Sequence, residues 1–313
     1  GNDTSPPLDC ARFRRYFVEM APFHSAETEG SQPPAVLVTG ASTGIGRGCV
    51  SALDHRGWRV FAGVRSEQAA AELRAEASER LTPILLDITD AGQIAAAVGA
   101  VSRAVGDRGL DGLVNNAGVA IAGPVELLPI EAWRDQLEVN VVGQVAMTQA
   151  FLPLLRKARG RVVLMSSVNG GLAAPYMAPY SASKHAIEAI ADAMRTELRN
   201  FGVRVAAVEP GPIATPIWRK SVDVADRMSR DVDPAALALY DADLAALREC
   251  IGKAALGAQP VERVVRAVVH ALTAARPKTR YFIGFRARMP FKILKMIPDR
   301  WRDWGIRKAV GWR

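Results

Sequence analysis

The 313-residue chain is long enough for one large α/β domain, and no linker rich in Pro, Gly or Ser divides it into two. Hydrophobic residues make up 49% of the chain, which excludes a disordered protein, and no apolar run reaches the roughly 18 residues that a membrane-spanning helix needs. The formal net charge is +8, but residues 276–313 alone hold twelve Lys or Arg against two Asp, so the remainder of the chain is slightly acidic.

Residues 1–34 are predicted to form a poorly ordered arm. They are rich in Ser, Pro, Thr and Glu, apart from a short amphipathic stretch at 11–20, and they contain no apolar region typical of a secretory signal. The folded part of the chain is therefore expected to begin near residue 35.

A buried strand and a glycine-rich turn follow the arm. The run Ala35–Val38 is continuously apolar, which predicts a strand covered on both faces, as in a parallel sheet between helices. The turn at 39–46, with the sequence TGASTGIG, comes next and precedes a predicted helix at 47–57. Glycines in such a turn let the backbone approach a pyrophosphate, and the amides at the start of the helix face the phosphates. The alternative is a glycine-rich turn that binds no ligand.

Strands and helices then alternate along the chain. Strands are predicted at 58–64, 82–86, 110–114, 161–165 and 203–208, and helices at 66–79, 91–105, 130–155 and 180–200. This alternation predicts an α/β fold in which a doubly wound parallel sheet forms one domain at 35–285, with right-handed connections. The polar and glycine-containing segments follow the strands, and the carboxyl ends of the strands are where such sheets bind ligands.

The cysteines and histidines show neither a disulfide framework nor a metal site. Cys10, Cys49 and Cys250 are odd in number and widely scattered, which predicts reduced thiols in a cytoplasmic protein. The four histidines share no ligand spacing with one another or with the cysteines, so the sequence predicts no bound metal.

Tyr180 and Lys184 form the clearest chemical pair in the sequence. They are four residues apart on a predicted helix and share one face, so the ammonium is expected to lie beside the phenol. A neighbouring positive charge lowers the pKa of a tyrosine and brings it closer to acid or base function at neutral pH. This chemistry suits an oxidoreductase that passes a proton to a carbonyl oxygen or takes one from an alcohol. Taken alone, the same spacing is equally typical of a surface pair.

The motifs together resemble the short-chain dehydrogenase/reductase family over about residues 35–285. The glycine turn at 39–46, the NNAG segment at 115–118 and the PG pair at 210–211 match the family's motifs in the family's order. Each motif is weak alone, and their joint occurrence is specific. The resemblance implies a Rossmann fold and an enzyme that transfers a hydride between a nicotinamide cofactor and a CH–OH or carbonyl group.

The resemblance also implies a catalytic tetrad of Asn140, Ser167, Tyr180 and Lys184. Tyr180 would exchange a proton with the substrate oxygen, and Ser167 would donate a hydrogen bond to that oxygen. Lys184 would lower the pKa of Tyr180 and hold the nicotinamide ribose, while Asn140 would hold a water for proton relay. Ser166 is the competing serine, and the spacing to Tyr180 favours Ser167.

The residues at the end of the second predicted strand indicate which nicotinamide cofactor is preferred. Gly63 stands where NAD-dependent members of the family carry an acidic residue, and Arg65 follows two residues later. Because an arginine suits a ribose 2′-phosphate, the sequence favours NADP(H), with NAD(H) as the alternative. Asp87 is similar to the acid that contacts the adenine. The cofactor-binding residues that the resemblance implies are Gly40, Ser42, Thr43, Gly44, Ile45, Gly46, Arg65, Asp87, Ile88, Asn116, Ala117, Gly118, Tyr180, Lys184, Pro210, Gly211, Ile213 and Thr215.

Residues 213–259 are predicted to form a helical lid over the substrate. In the family this segment covers the active site, and its apolar side chains suit a lipophilic alcohol or ketone, although packing on the core or on a partner subunit is the alternative. The segments VEPGP at 208–212 and PKTRY at 277–281 resemble those of hydroxysteroid and retinol dehydrogenases. A homodimer or homotetramer is the expected assembly.

Residues 286–313 are predicted to be a basic, aromatic C-terminal extension. Trp, Leu and Ile are interleaved with Lys and Arg, which is typical of a helix at a membrane surface. Peripheral membrane contact is one interpretation of this tail. A helix docked on the enzyme, with its cations extended to solvent, is the other.

Other functions are less well supported by the sequence. A catalytically silent dinucleotide-binding sensor would not need the complete tetrad, and a sugar epimerase would have a different glycine spacing and a separate substrate domain. A reductase of a small non-lipid carbonyl compound remains an alternative. Nucleic acid is not expected as a partner, although a basic tail alone is compatible with it.

Overall fold

A seven-stranded sheet lies at the centre of the computed structural model, which describes residues 32–217, 221, 232–284 and 297–310. In the sheet the order is β3-β2-β1-β4-β5-β6-β7, and every pair of neighbours is parallel. The predicted doubly wound parallel sheet is confirmed. The strands are β1 (Ala35–Val38), β2 (Arg59–Val64), β3 (Leu81–Leu85), β4 (Gly112–Asn115), β5 (Arg161–Met165), β6 (Arg204–Pro210) and β7 (Arg280–Ile283).

Helices cover both faces of this sheet. One apolar core joins the sheet to α1, α2 and α9, and a second joins its other face to α3, α5 and α6. The helices are α1 (Gly44–Asp54), α2 (Glu67–Glu76), α3 (Ala91–Val105), α4 (Ile130–Leu137), α5 (Gly143–Ala158), α6 (Ala178–Glu197), α7 (Pro234–Ala238), α8 (Asp241–Leu256), α9 (Val261–Thr273) and α10 (Asp299–Val310).

The apolar character of β1 follows from this double covering. Val36 and Val38 belong to the first core, whereas Ala35 and Leu37 belong to the second, because successive side chains of a strand point to opposite faces. All four are buried, so neither face of the strand tolerates a polar side chain. This central strand brings the glycine turn that follows it to the carboxyl edge of the sheet.

Four elements differ from the sequence prediction. The helix predicted at 130–155 is interrupted by a π-helical turn at Glu138–Val142, which separates α4 from α5 and contains the buried Asn140. Helix α1 begins at Gly44 rather than at residue 47, because the second half of the glycine turn already forms its first turn. Neither α9 nor β7 was predicted as an element, although α9 closes one face of the sheet and β7 completes its edge.

The predicted lid at 213–259 contains α7 and α8, and residues 218–220 and 222–231 within it lie outside the described residues. The predicted arm at 1–34 lies outside them up to residue 31, and so does the predicted tail at 286–296 and 311–313. Helix α10 of the tail contacts α8 of the lid. In the part of the chain that the structure describes, no helix has both the length and the apolar content that crossing a bilayer requires.

Candidate active site

An open cavity lies at the carboxyl edge of the sheet, where the connections from β1 and β4 diverge. It is lined by every residue predicted to bind the cofactor except Gly46, and by Ser167. Eight further residues that were not predicted also line the cavity. They are Val64, Leu86, Val119, Val139, Met165, Ser166, Pro216 and Ile217.

Gly46 lies behind the cavity wall and makes the tightest approach in the turn. A Cβ atom on it would be 2.1 Å from the carbonyl oxygen of Gly40 and 2.6 Å from Nδ2 of Asn116. Gly40 itself has a φ of +64°, in the left-handed region that favours glycine. Asn116 Nδ2 donates to the carbonyl oxygens of Thr39 and Gly40 at 2.9 and 3.1 Å. The turn is therefore held from inside the protein, with its other side open to a ligand.

The hydroxyl of Thr39 ties the end of β1 to the segment after β4. Thr39 Oγ1 accepts hydrogen bonds from the backbone amides of Asn116 and Ala117, both at 3.0 Å, and donates to the carbonyl oxygen of Val114 at 3.3 Å. Thr39 is fully buried. The sequence contained this threonine in the motif, but nothing in a single sequence shows that its partner is a segment 75 or more residues away.

Three buried amide side chains, which we call the amide row, hold the segment that follows β4. Gln136 accepts from the amide of Ile121 at 2.7 Å and donates to the carbonyl of Val119 at 2.9 Å. Asn140 accepts from the amide of Val119 at 2.8 Å and donates to its carbonyl at 2.9 Å, and Gln144 donates to the carbonyl of Ala117 at 3.0 Å. The amide row thus replaces the missing strand partner of this segment.

Asn140 also reaches the helix that carries the other tetrad residues. Its Nδ2 lies 3.1 Å from Ser183 Oγ, and Ser183 donates in turn to the carbonyl oxygen of Tyr180 at 2.7 Å. The π-helical turn places this side chain between the β4 segment and α6. Asn140 is fully buried and contacts the residue next to Lys184, so the structure places it behind the cavity.

Ser167 and Tyr180 meet at the cavity surface. Ser167 follows β5, and its Oγ accepts from the amide of Asn169 at 3.1 Å, which fixes the start of a short 3₁₀ turn. Its hydrogen bond to Tyr180 lowers the pKa of that phenol, while burial raises it by the larger amount. The hydroxyl of the neighbouring Ser166 is buried and has no hydrogen-bond partner within the described residues.

Lys184 lies behind Tyr180 with only 5% of its surface exposed. Its Nζ donates to the carbonyl oxygen of Met165 at 2.8 Å and is 5.6 Å from the centroid of the Tyr180 ring. Burial lowers the pKa of Lys184 to about 8, and the negative charge of Glu188 opposes that change. The ammonium is therefore the dominant form at neutral pH.

The sequence predicted that Lys184 lowers the pKa of Tyr180, and this is not the dominant effect in the structure. Burial raises the pKa of Tyr180, and the lowering contribution comes from Ser167. The physical reason is that the phenol is removed from water, while the ammonium is engaged with Met165 on the far side of the ring. Tyr180 consequently carries its proton at neutral pH.

Two arginines flank the cofactor end of the cavity, and their surroundings differ. Arg65 follows β2, is exposed, lines the cavity, and has no ion pair or hydrogen bond within the described part of the chain. Arg47 on α1 is occupied, because its Nη2 is 2.7 Å from Glu76 Oε2 and its Nη1 donates to the carbonyl of Ser42 at 3.3 Å. Arg65 is therefore the cation available to a ligand.

The lid is attached to the rim of the cavity through two tyrosines. Tyr176, four residues before Tyr180, donates to Asp243 Oδ2 at 3.0 Å, and Tyr240 donates to Glu126 Oε2 at 2.6 Å. The two rings meet edge to face with centroids 6.2 Å apart. Tyr176 has a φ of +59°, a strained conformation for a residue with a side chain. These contacts join residues that are far apart in the sequence, and no motif predicted them.

Known proteins resemble this chain over most of its length. A model of the short chain dehydrogenase family matches residues 34–225. The chain is similar to 17-beta-hydroxysteroid dehydrogenase type 6 of Bos taurus, with 38% identity over 283 residues and 89% of each chain covered. It is similar to retinol dehydrogenase 16 of Homo sapiens, with 37% identity over 270 residues and 84% of each chain covered.

A solved structure agrees with these matches. A short chain dehydrogenase from Burkholderia cenocepacia in complex with NADP superimposes with a TM-score of 0.65 at 30% identity, covering 89% of this chain and 98% of the other. The resemblance to hydroxysteroid and retinol dehydrogenases that the motifs indicate is thereby confirmed.

Proposed function

The chain belongs to the short-chain dehydrogenase family and is an oxidoreductase, and from this premise we propose that it interconverts a lipophilic ketone or aldehyde and the corresponding alcohol with NADP(H). The observation that supports this most directly is the meeting of Ser167, Tyr180 and Lys184 in one cavity. Proton donor, oxygen-binding hydroxyl and cation are brought together, next to a glycine turn suited to a dinucleotide.

The proton chemistry follows from the side chains of the site. A bound nicotinamide dinucleotide supplies the hydride. Tyr180 gives its phenolic proton to the carbonyl oxygen, which is possible at neutral pH because burial keeps the phenol protonated. Ser167 donates a hydrogen bond to the same oxygen and stabilises the negative charge that develops there. Lys184, as an ammonium, stabilises the phenolate left behind.

The substrate class is inferred from the cavity wall and from the relatives. Tyr180 belongs to a small apolar cluster with Ala120 and Met177, against which Ile217 packs. Tyr180 and Ile217 bring this apolar surface to the cavity, where it can remove lipophilic area from water and supplies few groups that could pair with a sugar hydroxyl. The relatives are named for steroid and retinol substrates, and we propose that this site takes a molecule of the same lipophilic kind.

The function is tested by turnover of the purified full chain. NADPH oxidation is followed with a 17-ketosteroid, with retinaldehyde and with a small polar sugar aldehyde, and each assay is repeated with NADH. We expect turnover with at least one of the two lipophilic compounds and none with the sugar. Dinucleotide binding without any turnover would instead favour a sensor, and turnover of the sugar alone would contradict the substrate class.

Arg65 is proposed to set the preference for NADP(H). Its free guanidinium suits a 2′-phosphate, because a charge-assisted pair of hydrogen bonds is among the stronger polar contacts in proteins. Replacing Arg65 with Gln is expected to raise the Kd of NADPH by about tenfold to a hundredfold. The Kd of NADH should remain unchanged, since that molecule lacks the phosphate.

The measurement is fluorescence titration of each reduced dinucleotide into the protein. Arg74→Gln is the matched control, because it removes the same charge from an arginine on α2 that is 3.9 Å from Glu67 and is not part of the cavity wall. An equal loss of NADPH affinity in both variants would point to a general charge effect and would contradict the role of Arg65.

We also propose that α10 contacts an anionic membrane surface. Trp301 and Trp304 are 70% and 61% exposed, and they share a face of the helix with Lys308. Exposed tryptophans beside cations are suited to the interface of an acidic bilayer. This contact would bring the lid, which α10 touches, close to a lipid-dissolved substrate.

Vesicle co-sedimentation tests this contact. The full chain is expected to pellet with phosphatidylglycerol vesicles, and Trp301→Ser combined with Trp304→Ser should weaken binding by about a hundredfold because two interfacial aromatic side chains are lost. Phe201→Ser, which removes an aromatic side chain that is 48% exposed outside α10, should bind as the wild type does. Equal pelleting of all three proteins would contradict the proposal.

A further inference from the structure

Arg280 joins the catalytic helix to the edge of the sheet through three carboxylates. Its Nε is 2.9 Å from Glu188 Oε2 and 3.5 Å from Glu209 Oε1, and its Nη2 is 2.7 Å from Asp192 Oδ2. Glu188 and Asp192 lie on α6, Glu209 lies in β6, and Arg280 begins β7. One guanidinium thus connects the helix of Tyr180 with the strand that leads into the cofactor segment.

Glu188 is the member of this cluster that faces the active site. It lies one helical turn after Lys184, so the two side chains are neighbours on α6. Its side chain is only 13% exposed, and Oε1 is buried without a hydrogen-bond partner among the described residues. A carboxylate that is shielded from water in this way acts more strongly on a nearby charge than an exposed one does.

The 3₁₀ turn after β5 keeps Glu188 in this position. A Cβ atom on Gly170 would lie 2.9 Å from Cγ of Glu188 and 3.0 Å from the carbonyl oxygen of Lys184. Glu188 is therefore packed between this turn on one side and Arg280 on the other. Its carboxylate has a fixed location beside Lys184, unlike the mobile carboxylate of an exposed helix pair.

We propose that Glu188, held by Arg280, is a positioning residue that keeps Lys184 as an ammonium in the active site. Lys184 is removed from water, which favours its neutral form, and Glu188 is the carboxylate that opposes this loss of charge. Glu188 does not line the cavity, so it acts on the reaction through Lys184 alone.

The other ionisable groups near this pair are few and are identified by element. Ser166 and Ser167 after β5 and Asn116 after β4 line the same cavity as Lys184 with hydroxyl and amide groups, and Arg65 and Asp87 line it from the ends of β2 and β3. The charged or titratable groups on the packed elements are Tyr180, Asp192 and Arg195 on α6, Glu209 on β6 and Arg280 on β7.

The test is the titration of Lys184 in the full chain. Competitive acetylation with acetic anhydride, read by mass spectrometry across pH, gives the midpoint for that one lysine without any turnover. In Glu188→Gln, which removes the charge and keeps the shape, the midpoint is expected to move to lower pH by about one unit. With NADPH and the ketone or aldehyde that the enzyme turns over, the alkaline limb of kcat/KM should move by the same amount, while its value at pH 6 stays close to wild type.

Asp192→Asn is the matched control. This substitution breaks an ion pair of the same guanidinium, which is 2.7 Å from Asp192 and 2.9 Å from Glu188. Asp192 lies two helical turns from Lys184, so the Lys184 midpoint should not move. Arg280→Gln is expected to shift the midpoint in the opposite direction, because it removes the positive charge that offsets Glu188 while the turn at Gly170 still packs against the Glu188 side chain. This variant keeps the proposal testable if Glu188→Gln does not fold. Circular dichroism confirms that each variant is folded.

Two results would overturn the proposal: an unchanged midpoint in Glu188→Gln, or an equal shift in Asp192→Asn. An unchanged or lowered midpoint in Arg280→Gln counts against it in the same way. The role of Glu188 in the reaction rests on the proposed function, but the acetylation measurement does not. Absence of turnover would therefore count against the proposed function. The Lys184 midpoints would still decide whether Glu188 acts on Lys184.

Discussion

Replacing Tyr180 with Phe is expected to lower kcat by about three orders of magnitude, the upper range for loss of a positioned acid or base. Phenylalanine keeps the ring that packs against Ala120 and Met177, so the cavity should retain its shape. The variant loses the hydroxyl that, in the proposed mechanism, passes a proton to the substrate oxygen beside Ser167. The Kd of NADPH should remain within about threefold of wild type, since binding and proton transfer are separate events.

Stopped-flow single turnover and fluorescence titration measure the two quantities separately. Tyr281→Phe is the matched control, because Tyr281 is a second buried tyrosine whose hydroxyl accepts from the amide of Lys278 at 3.0 Å and lies 2.8 Å from Nδ1 of His270. That variant should lose about 1 kcal/mol of stability and retain its turnover. Unchanged turnover in Tyr180→Phe would exclude the proposed acid.

Replacing Gly46 with Ala is expected to reduce the free energy of unfolding by about 3 kcal/mol. The added Cβ would lie 2.1 Å from the carbonyl oxygen of Gly40, so the turn and the start of α1 must move apart. That movement displaces the amides at the start of the helix, which are suited to hold phosphates. NADPH affinity should fall on the order of a hundredfold, as is typical for a displacement of about 1 Å in a binding site.

Urea unfolding and NADPH titration measure these effects. Gly99→Ala is the control, because the new Cβ would have only an ordinary contact, 3.5 Å from Nη1 of Arg103, and alanine favours the helical conformation of α3. This variant should be as stable as wild type or more stable. A fully stable Gly46→Ala protein with unchanged NADPH affinity would show that the close approach in the turn is unimportant.

Much of the fold could be predicted from the sequence because local pattern and tertiary environment agree. Strand β1 is apolar on both faces because both faces are covered, and the strand is followed at once by the glycine turn. The alternation of strands β1 to β6 with helices predicted a doubly wound parallel sheet, although not the order of the strands within it. Strand β7 was missed because its sequence RYFI is short and carries the charged Arg280.

The candidate site was less predictable where it depends on contacts between distant segments. The break in the helix at Glu138–Val142 has no strong breaker in its sequence, and it reflects the packing of Asn140 against the segment after β4. The balance of burial and charge at Tyr180 also depends on the three-dimensional environment, which is why burial raises the pKa of Tyr180 where the sequence predicted a lowered one. The contacts of Tyr176 with Asp243 and of Tyr240 with Glu126, which join the predicted lid to the rest of the chain, depend on pairs more than 60 residues apart.

The amide row has a consequence for redesign of this enzyme. Gln136, Asn140 and Gln144 hold only main-chain atoms of their partner segment, so the support they give does not depend on which side chains that segment carries. Val119 lines the cavity from this segment and can be exchanged for a larger or smaller residue while its main chain stays fixed. Changes of side chain in this segment can therefore alter which substrate fits the cavity, while the hydrogen bonds that hold its main chain remain the same.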